Sequence, residues 1–325
     1  MNIRHLVLSG GGPSLFKTIG ALQVLEKANK VQMKNIKSIY GTSAGAICAV
    51  TLSLGFDWDT INSYFVDRPW NEAYPITPTS IFDAYGKKGI FGREFVTKAF
   101  TPLFNAKDIP INITMKDFYE KTNIDLYFYT MELNEFENLE VSHYSHPELE
   151  VIDAVHMSCS LPIIIAPVCQ DGKCYLDGGL GSNYPVKQCV DRVNNIDEIL
   201  GICVSHSNPT DFNDEDNESQ KNEKIITLES SILEYMSTIF VKMVKHINQS
   251  IERPELKYEI ICKGRKLTFE YIQQAINSKE IRQELLDDGI SCGDAFIKAQ
   301  HENENSDIEY KLSSRSSFDE HIPIY

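Results

Sequence analysis

Long apolar runs, paired cysteine motifs and an excess of positive charge are all missing from this chain of 325 residues. Its longest apolar stretch, 161–168, contains Pro162 and Pro167 and is far shorter than the ~18 residues that a membrane-spanning helix needs. The opening stretch, MNIRHLVLSGGG, has too few apolar side chains for a secretory signal. We therefore expect a cytoplasmic protein that meets membranes, if at all, from their surface.

The eight cysteines form no CxxC pair and no Cys/His pattern of the kind that binds zinc. In a reducing compartment they are expected to be free thiols. The 31 Lys and Arg residues are outnumbered by 46 Asp and Glu residues, which gives a formal net charge of −15. This balance argues against nucleic acid as a partner, and an anionic membrane would attract the chain only through a local patch.

Two strand–turn–helix units open the chain. An apolar run over 5–9 ends in three glycines and is followed by a helical pattern, and a second run over 36–40 leads into an Ala-rich helical pattern over 44–54. Further strand patterns cover 125–132, 139–142 and 199–204. The repeated units predict an α/β protein, a three-layer α/β/α sandwich with a mainly parallel central sheet.

Other segments are less regular. Residues 67–105 combine many aromatic side chains with Lys87, Lys88 and Arg93, which fits either an irregular excursion packed on the core or a lid that touches lipid. The stretch 206–224 is acidic and almost free of apolar residues, so it is predicted to be a mobile, solvated loop. A helical segment over 225–299 is predicted to pack on the core, and a polar tail over 300–325 follows.

Three motifs can carry chemistry. The sequence Gly41-Thr42-Ser43-Ala44-Gly45 matches G-x-S-x-G between a predicted strand and a predicted helix, a tight turn that holds a serine hydroxyl clear of the backbone. The turn at Gly10, Gly11 and Gly12 directs free amides towards an anion. Because Leu15 stands where a dinucleotide-binding GxGxxG would need glycine, we favour an oxyanion hole formed by the Gly11 and Gly12 amides over a nucleotide site.

The third motif is Asp177-Gly178-Gly179, after the apolar Tyr175 and Leu176. An aspartate before two glycines is often only a turn. If it faces Ser43, it is instead a candidate general base.

Together these motifs resemble those of the patatin-like phospholipases. The resemblance rests on SGGGPSLFKTIGAL (9–22), GTSAGA (41–46), MSCSLPIIIAPV (157–168) and DGGLGSNYPV (177–186), which occur in the family's order. It implies a patatin-like core over 5–190, continued by a further strand over 191–205. A fainter likeness extends through 258–289.

The resemblance also implies a function. A Ser43–Asp177 dyad would cleave acyl esters of phospholipids or other glycerolipids through an acyl-enzyme, with the glycine loop as oxyanion hole and with no cofactor or metal. The expected partners are the lipid substrate and, transiently, a membrane or lipid-droplet surface. Burial is expected to raise the pKa of Asp177 and make it a better base.

One departure from the family favours an alternative. The family usually continues its glycine loop with a basic residue and glycine, whereas this chain has Ser14 and Leu15. Lys17 is near in sequence, but nothing in the sequence shows that it substitutes. A catalytically weak or silent lipid-binding member of the family is therefore the second hypothesis.

A conventional triad is the third hypothesis. His206 follows the strand pattern 199–204, so the chain order Ser43, Asp177, His206 is permissible. We favour the simpler interpretation of His206 as a loop residue, since the resemblance requires no histidine.

Overall fold

A computed structural model describes residues 1–205, 226–249 and 253–316 of the chain, with the side chains at 78, 80, 81, 83, 249 and 303–316 excepted. The strands are β1 (His5–Leu8), β2 (Ser38–Thr42), β3 (Gly89–Phe91), β4 (Asp125–Glu132), β5 (Glu137–Ser142), β6 (Ile163–Ile165), β7 (Val168–Gln170), β8 (Lys173–Asp177), β9 (Ile199–Ser205) and β10 (Tyr258–Lys263).

Helices connect most of these strands, singly or in groups. They are α1 (Leu15–Lys27), α2 (Ala44–Ser53), α3 (Trp58–Asn62), α4 (Trp70–Ala73), α5 (Pro78–Lys87), α6 (Glu94–Asn105), α7 (Met115–Thr122), α8 (Val151–Cys159), α9 (Gly179–Ser182), α10 (Val186–Val190), α11 (Ile232–Gln249), α12 (Phe269–Asn277) and α13 (Lys279–Ser316).

The central sheet has the strand order β10-β9-β1-β2-β4-β8-β7, and β5 also pairs with β4. The five strands from β10 to β4 are parallel, whereas β5, β8 and β7 add antiparallel pairs. Strands β3 and β6 form a separate two-stranded sheet. The predicted α/β fold with a mainly parallel sheet is confirmed.

Side chains alternate between the two faces of the sheet, as the period of two in a strand requires. In β1, Leu6 and Leu8 enter the main core with α1, α2 and α8, while Val7 enters a second core against α10. Strand β4 repeats this pattern with Phe128 on the first face and Tyr127 on the second. Both faces of the sheet are therefore covered by helices.

The structure corrects two predictions. The segment 67–105 is largely helical, not irregular, and packs most of its aromatics inward, with Trp70 stacked on Tyr74. Cys169 and Cys174 are not free thiols, because they face each other across the β7–β8 hairpin and form a disulfide. The register of the hairpin places the two cysteines opposite each other, which their spacing in the sequence did not reveal.

The C-terminal helix α13 lies against α1 at very short range. A Cβ on Gly20 would stand 2.2 Å from the carbonyl oxygen of Leu286, and one on Gly289 would stand 2.2 Å from that of Lys17. Glycine at both positions therefore allows the two backbones to touch. Within the described part of the chain, no helix is both long and apolar enough to cross a bilayer.

Candidate functional site

The serine of the GTSAG motif lies at the sharp turn from β2 into α2. Ser43 has φ 54° and ψ −119°, a conformation that costs a non-glycine residue energy and is held by the surrounding structure. A Cβ on Gly41 would stand 2.6 Å from the carbonyl carbon of Gly45, and one on Gly45 would stand 2.3 Å from the carbonyl oxygen of Leu8. The motif's glycines are therefore required by the tightness of the turn.

Asp177 reaches Ser43 because of the sheet register. Thr42 of β2 is opposite Tyr129 of β4, and Asp177 of β8 is opposite the next residue, Thr130. The two candidate residues consequently lie at the same level on either side of β4. Ser43 Oγ donates a hydrogen bond of 2.6 Å to Asp177 Oδ2, and the Gly179 amide donates one of 2.8 Å to Asp177 Oδ1.

Asp177 is only 4% exposed. Burial raises its pKa from 3.8 to about 6, against the opposing effect of the hydrogen bonds from Ser43 and Gly179. The shift has the direction expected from the sequence. The next residue must be glycine, because a Cβ on Gly178 would stand 2.1 Å from the carbonyl oxygen of Tyr129.

The glycine loop lies between β1 and α1, beside Ser43. The Gly10 amide donates to the carbonyl of Asn183 at 2.9 Å, and Gly12 has φ +55°, which favours glycine. Neither the Gly11 nor the Gly12 amide donates to any atom of the described residues. These two amides are thus available to an oxygen atom of a ligand.

Ser158 is a site residue that the sequence reasoning did not single out. Its hydroxyl accepts a 2.9 Å hydrogen bond from the Ser43 amide and donates one of 2.7 Å to the carbonyl of Tyr129. It thereby holds the strained turn against β4. The MSCSLP segment gave a signal, but only the fold shows which of its serines makes these contacts.

Two cavities meet at Ser43. The first, of about 150 Å³, is apolar. Its lining includes Phe16, Phe65, Trp70, Phe91, Ile164 and Ile165. The second is a larger cleft of about 700 Å³ whose lining mixes apolar side chains with charged and amide groups, and it also contains Asp177 and the Gly10 and Gly11 backbone. Ser43, Leu161 and Leu267 line both, so the hydroxyl stands where the apolar cavity meets this mixed cleft.

The departure in the glycine loop is not compensated by Lys17. Its ammonium group is bound by Asp288 Oδ2 and by the carbonyl of Lys263, both at 2.8 Å, on the side of α1 that faces α13. Ser14 is buried and its hydroxyl is 3.2 Å from that of Tyr271, while Leu15 lines the apolar cavity. Lys17 therefore holds α13, and its charge is neutralised there.

The remaining predictions from the sequence concern His206, the acidic segment and the aromatic segment 67–105. His206 and the whole acidic segment 206–224 lie outside the described residues. Of the aromatic segment, Trp70, Tyr74, Phe91 and Phe95 line the apolar cavity, whereas Phe82 and Tyr85 are 82% and 94% exposed. Packing on the core thus holds for the first four side chains, while contact of Phe82 and Tyr85 with lipid stays a prediction. Among the described residues, no cluster of His, Cys, Asp or Glu could hold a metal ion.

Comparison with known proteins adds to this geometry. A family model described as patatin-like phospholipase matches residues 6–190. An uncharacterized protein of Acanthamoeba polyphaga mimivirus is 29% identical over 209 residues, 64% of this chain and 68% of that protein. A protein named probable lipid hydrolase from Invertebrate iridescent virus 6 is 27% identical over 186 residues, 56% of this chain and 62% of that protein.

A solved structure shares the fold. The crystal structure of VipD from Legionella pneumophila superposes with a TM-score of 0.53 at 18% identity, covering 92% of this chain and 67% of that one. At this identity the similarity concerns the fold alone.

Proposed function

The chain belongs to the patatin-like phospholipase family, and we propose that it is a serine lipid acyl hydrolase that works through Ser43 and Asp177. The observation that carries the proposal is the 2.6 Å hydrogen bond between Ser43 Oγ and the buried Asp177 carboxylate at the junction of the two cavities. The substrates proposed are acyl esters of glycerolipids, with the acyl chain in the apolar cavity.

The first half of the reaction forms an acyl-enzyme. Ser43 Oγ attacks the ester carbonyl carbon while Asp177 Oδ2 takes the hydroxyl proton along the existing hydrogen bond. The carbonyl oxygen becomes an oxyanion, which accepts hydrogen bonds from the amides of Gly11 and Gly12. As the C–O bond to the glycerol oxygen breaks, that oxygen takes the proton from Asp177 and the lysolipid leaves.

The second half releases the acid. Water gives a proton to Asp177 and attacks the acyl carbonyl, the same amides bind the oxyanion, and the proton returns to Ser43 Oγ as the fatty acid leaves. The raised pKa of Asp177, about 6, makes the carboxylate a stronger base than an exposed aspartate and leaves it largely ionised at pH 7.

The test is fatty-acid release from mixed phospholipid and neutral glycerolipid vesicles. Wild type, Ser43→Ala and Asp177→Asn are compared, with the exposed Ser291→Ala on α13 as the matched control. We expect release from wild type and the control, and a loss of at least about a thousandfold in the other two. Vesicle binding is measured in parallel by sedimentation.

Two other outcomes would support the alternative hypotheses. If wild type and Ser43→Ala bind vesicles equally and neither releases fatty acid, the protein is a silent lipid-binding member of the family and the proposal is wrong. If His206→Ala abolishes release as completely as Asp177→Asn while binding is unchanged, the triad replaces the dyad.

A further inference from the structure

The mixed cleft must receive the part of the substrate that the apolar cavity cannot hold. An ester whose carbonyl carbon is at Ser43 Oγ directs its acyl chain to one side and its glycerol oxygen to the other. The apolar cavity and the cleft meet at Ser43. An acyl chain in the apolar cavity therefore places the glycerol and its headgroup in the cleft. The chemistry of the cleft therefore decides which headgroup is favoured.

That cleft is positive in a chain whose formal net charge is −15. Its charged lining consists of Lys242, Lys245, Arg253 and Lys266 against the carboxyl of Asp177. Concentrating cations at one opening, against the charge of the whole molecule, creates a local field that attracts anions. An uncharged diacylglycerol or triacylglycerol headgroup would make no use of it.

Helix α11 holds two of these cations at a fixed place. Lys242 and Lys245 are three residues apart and so lie on one face of the helix. One turn on, Asn248 donates 2.8 Å from Nδ2 to the carbonyl of Gly179 and accepts 3.2 Å from the Asn183 amide. The lysines are thereby tied to the segment that directly follows Asp177.

Both lysines are available to a ligand. They are exposed, and neither has a carboxylate within ion-pair distance among the residues with described positions. Arg253, by contrast, is paired with Glu259. The two ammonium groups therefore offer six N–H donors, and no acceptor among the described residues competes with a ligand for them.

We propose that Lys242 and Lys245 bind the phosphate of the substrate's headgroup, so that the enzyme acts on phospholipids in preference to neutral glycerolipids. This inference rests on the proposed function. It assigns to α11 the positive charge that the glycine loop lacks at Ser14 and Leu15. The ammonium groups form charge-assisted hydrogen bonds with the phosphate oxygens while the ester is at Ser43.

The experiment uses soluble short-chain lipids below their micelle concentration, so that binding to a membrane surface does not contribute. Dihexanoylphosphatidylglycerol and dihexanoylglycerol carry the same acyl esters and differ by the phosphoglycerol headgroup, which supplies the only charge. The variant is Lys242→Gln with Lys245→Gln. Its matched control is Lys116→Gln with Lys121→Gln, two exposed lysines on α7. Helix α7 leads into the N-terminal end of β4, whereas Ser43 follows the carboxyl end of the neighbouring strand β2.

We expect KM for the phospholipid to rise about tenfold in the α11 double variant with kcat little changed, since two partly exposed charge contacts are lost. Hydrolysis of dihexanoylglycerol should be the same in wild type, variant and control. An equal loss on both substrates, or no change in KM for the phospholipid, overturns the proposal.

Binding separates this inference from the proposed function. In the Ser43→Ala background, calorimetry should show dihexanoylphosphatidylglycerol bound about tenfold more weakly when both lysines are replaced, whether or not the wild type hydrolyses any lipid. If no lipid is hydrolysed but the double variant still binds the phospholipid more weakly, the proposed enzymatic function is wrong and the phosphate site is supported. Inorganic phosphate that binds the same lysines as tightly as the lipid would instead identify a site for free phosphate and overturn the headgroup assignment.

Discussion

Replacing Asp177 by asparagine should abolish activity and yet stabilise the fold at alkaline pH. The buried carboxyl has a pKa of about 6 in the folded protein, against 3.8 for an exposed aspartate. The folded state therefore holds this proton more tightly than the unfolded chain does. The contribution of Asp177 to stability is fully present below about pH 4 and is lost as the pH rises through about 6.

The size of the loss follows from the two pKa values. One pKa unit corresponds to 1.36 kcal/mol, so the ionised Asp177 costs the folded state about 3 kcal/mol at pH 8 and less than about 1 kcal/mol at pH 4. Asparagine is neutral at both values. It keeps an oxygen that can accept from the Gly179 amide and gains an amide that can donate to Ser43 Oγ.

The assay is equilibrium urea unfolding at pH 4 and pH 8, followed by the fluorescence of Trp58 and Trp70. We expect the free energy of unfolding of Asp177→Asn to exceed that of wild type by up to about 3 kcal/mol at pH 8 and to approach it at pH 4. Asp294→Asn, an exposed position on α13, serves as control and should show no such pH-dependent gain. A variant that is no more stable than wild type at pH 8, or a difference that does not change with pH, would refute the reasoning.

Four further predictions concern the site and its supports. Because Asp177 must be ionised to act as base, kcat/KM should fall below about pH 6 to about a tenth at pH 5, and a profile that is flat down to pH 5 would contradict that role. Gly20→Ala should lower the free energy of unfolding, measured in urea, by about 2 kcal/mol or more, because the added Cβ would stand 2.2 Å from the Leu286 carbonyl oxygen. Gly86→Ala is the control: its Cβ would meet nothing within 4 Å, so the variant should be as stable as wild type or more stable. Arg282→Met should cost about 3 kcal/mol in the same assay, since the buried guanidinium donates to the carbonyls of Val66, Arg68, Ala275 and Ile276. Ala99→Phe should partly fill the apolar cavity and reduce hydrolysis of long-chain esters about tenfold relative to butyryl esters; equal effects on both would place the acyl chain elsewhere.

Local sequence was sufficient for much of the fold. The strand pattern over 125–132 coincides with β4, Asp125–Glu132, because alternating apolar and aromatic residues fit a strand that is buried on both faces. The turn at Ser43 was equally readable, since only glycine fits at Gly41 and Gly45. Such features depend on a few neighbouring residues, and their steric requirements are visible in the letters themselves.

Other features depend on residues far apart in the chain. The segment 67–105 looked irregular because its aromatics fit no simple period, yet four of them line a cavity formed with α12, α13 and β6. The Cys169–Cys174 pair required the hairpin register. Ser158 is 115 residues from the amide that it holds, so no local pattern could assign it.

The sequence by itself determined which residue types could do chemistry here: a serine on a glycine turn, an aspartate before two glycines and a loop with free amides. The tertiary structure decided how they meet. Ser43 and Asp177 are 134 residues apart, and the register of β2, β4 and β8 brings their side chains to 2.6 Å. Burial, which raises the pKa of Asp177, and the placement of Lys17 and of α11 are likewise properties of packing, because desolvation and charge pairing depend on neighbours in space and not on neighbours in sequence.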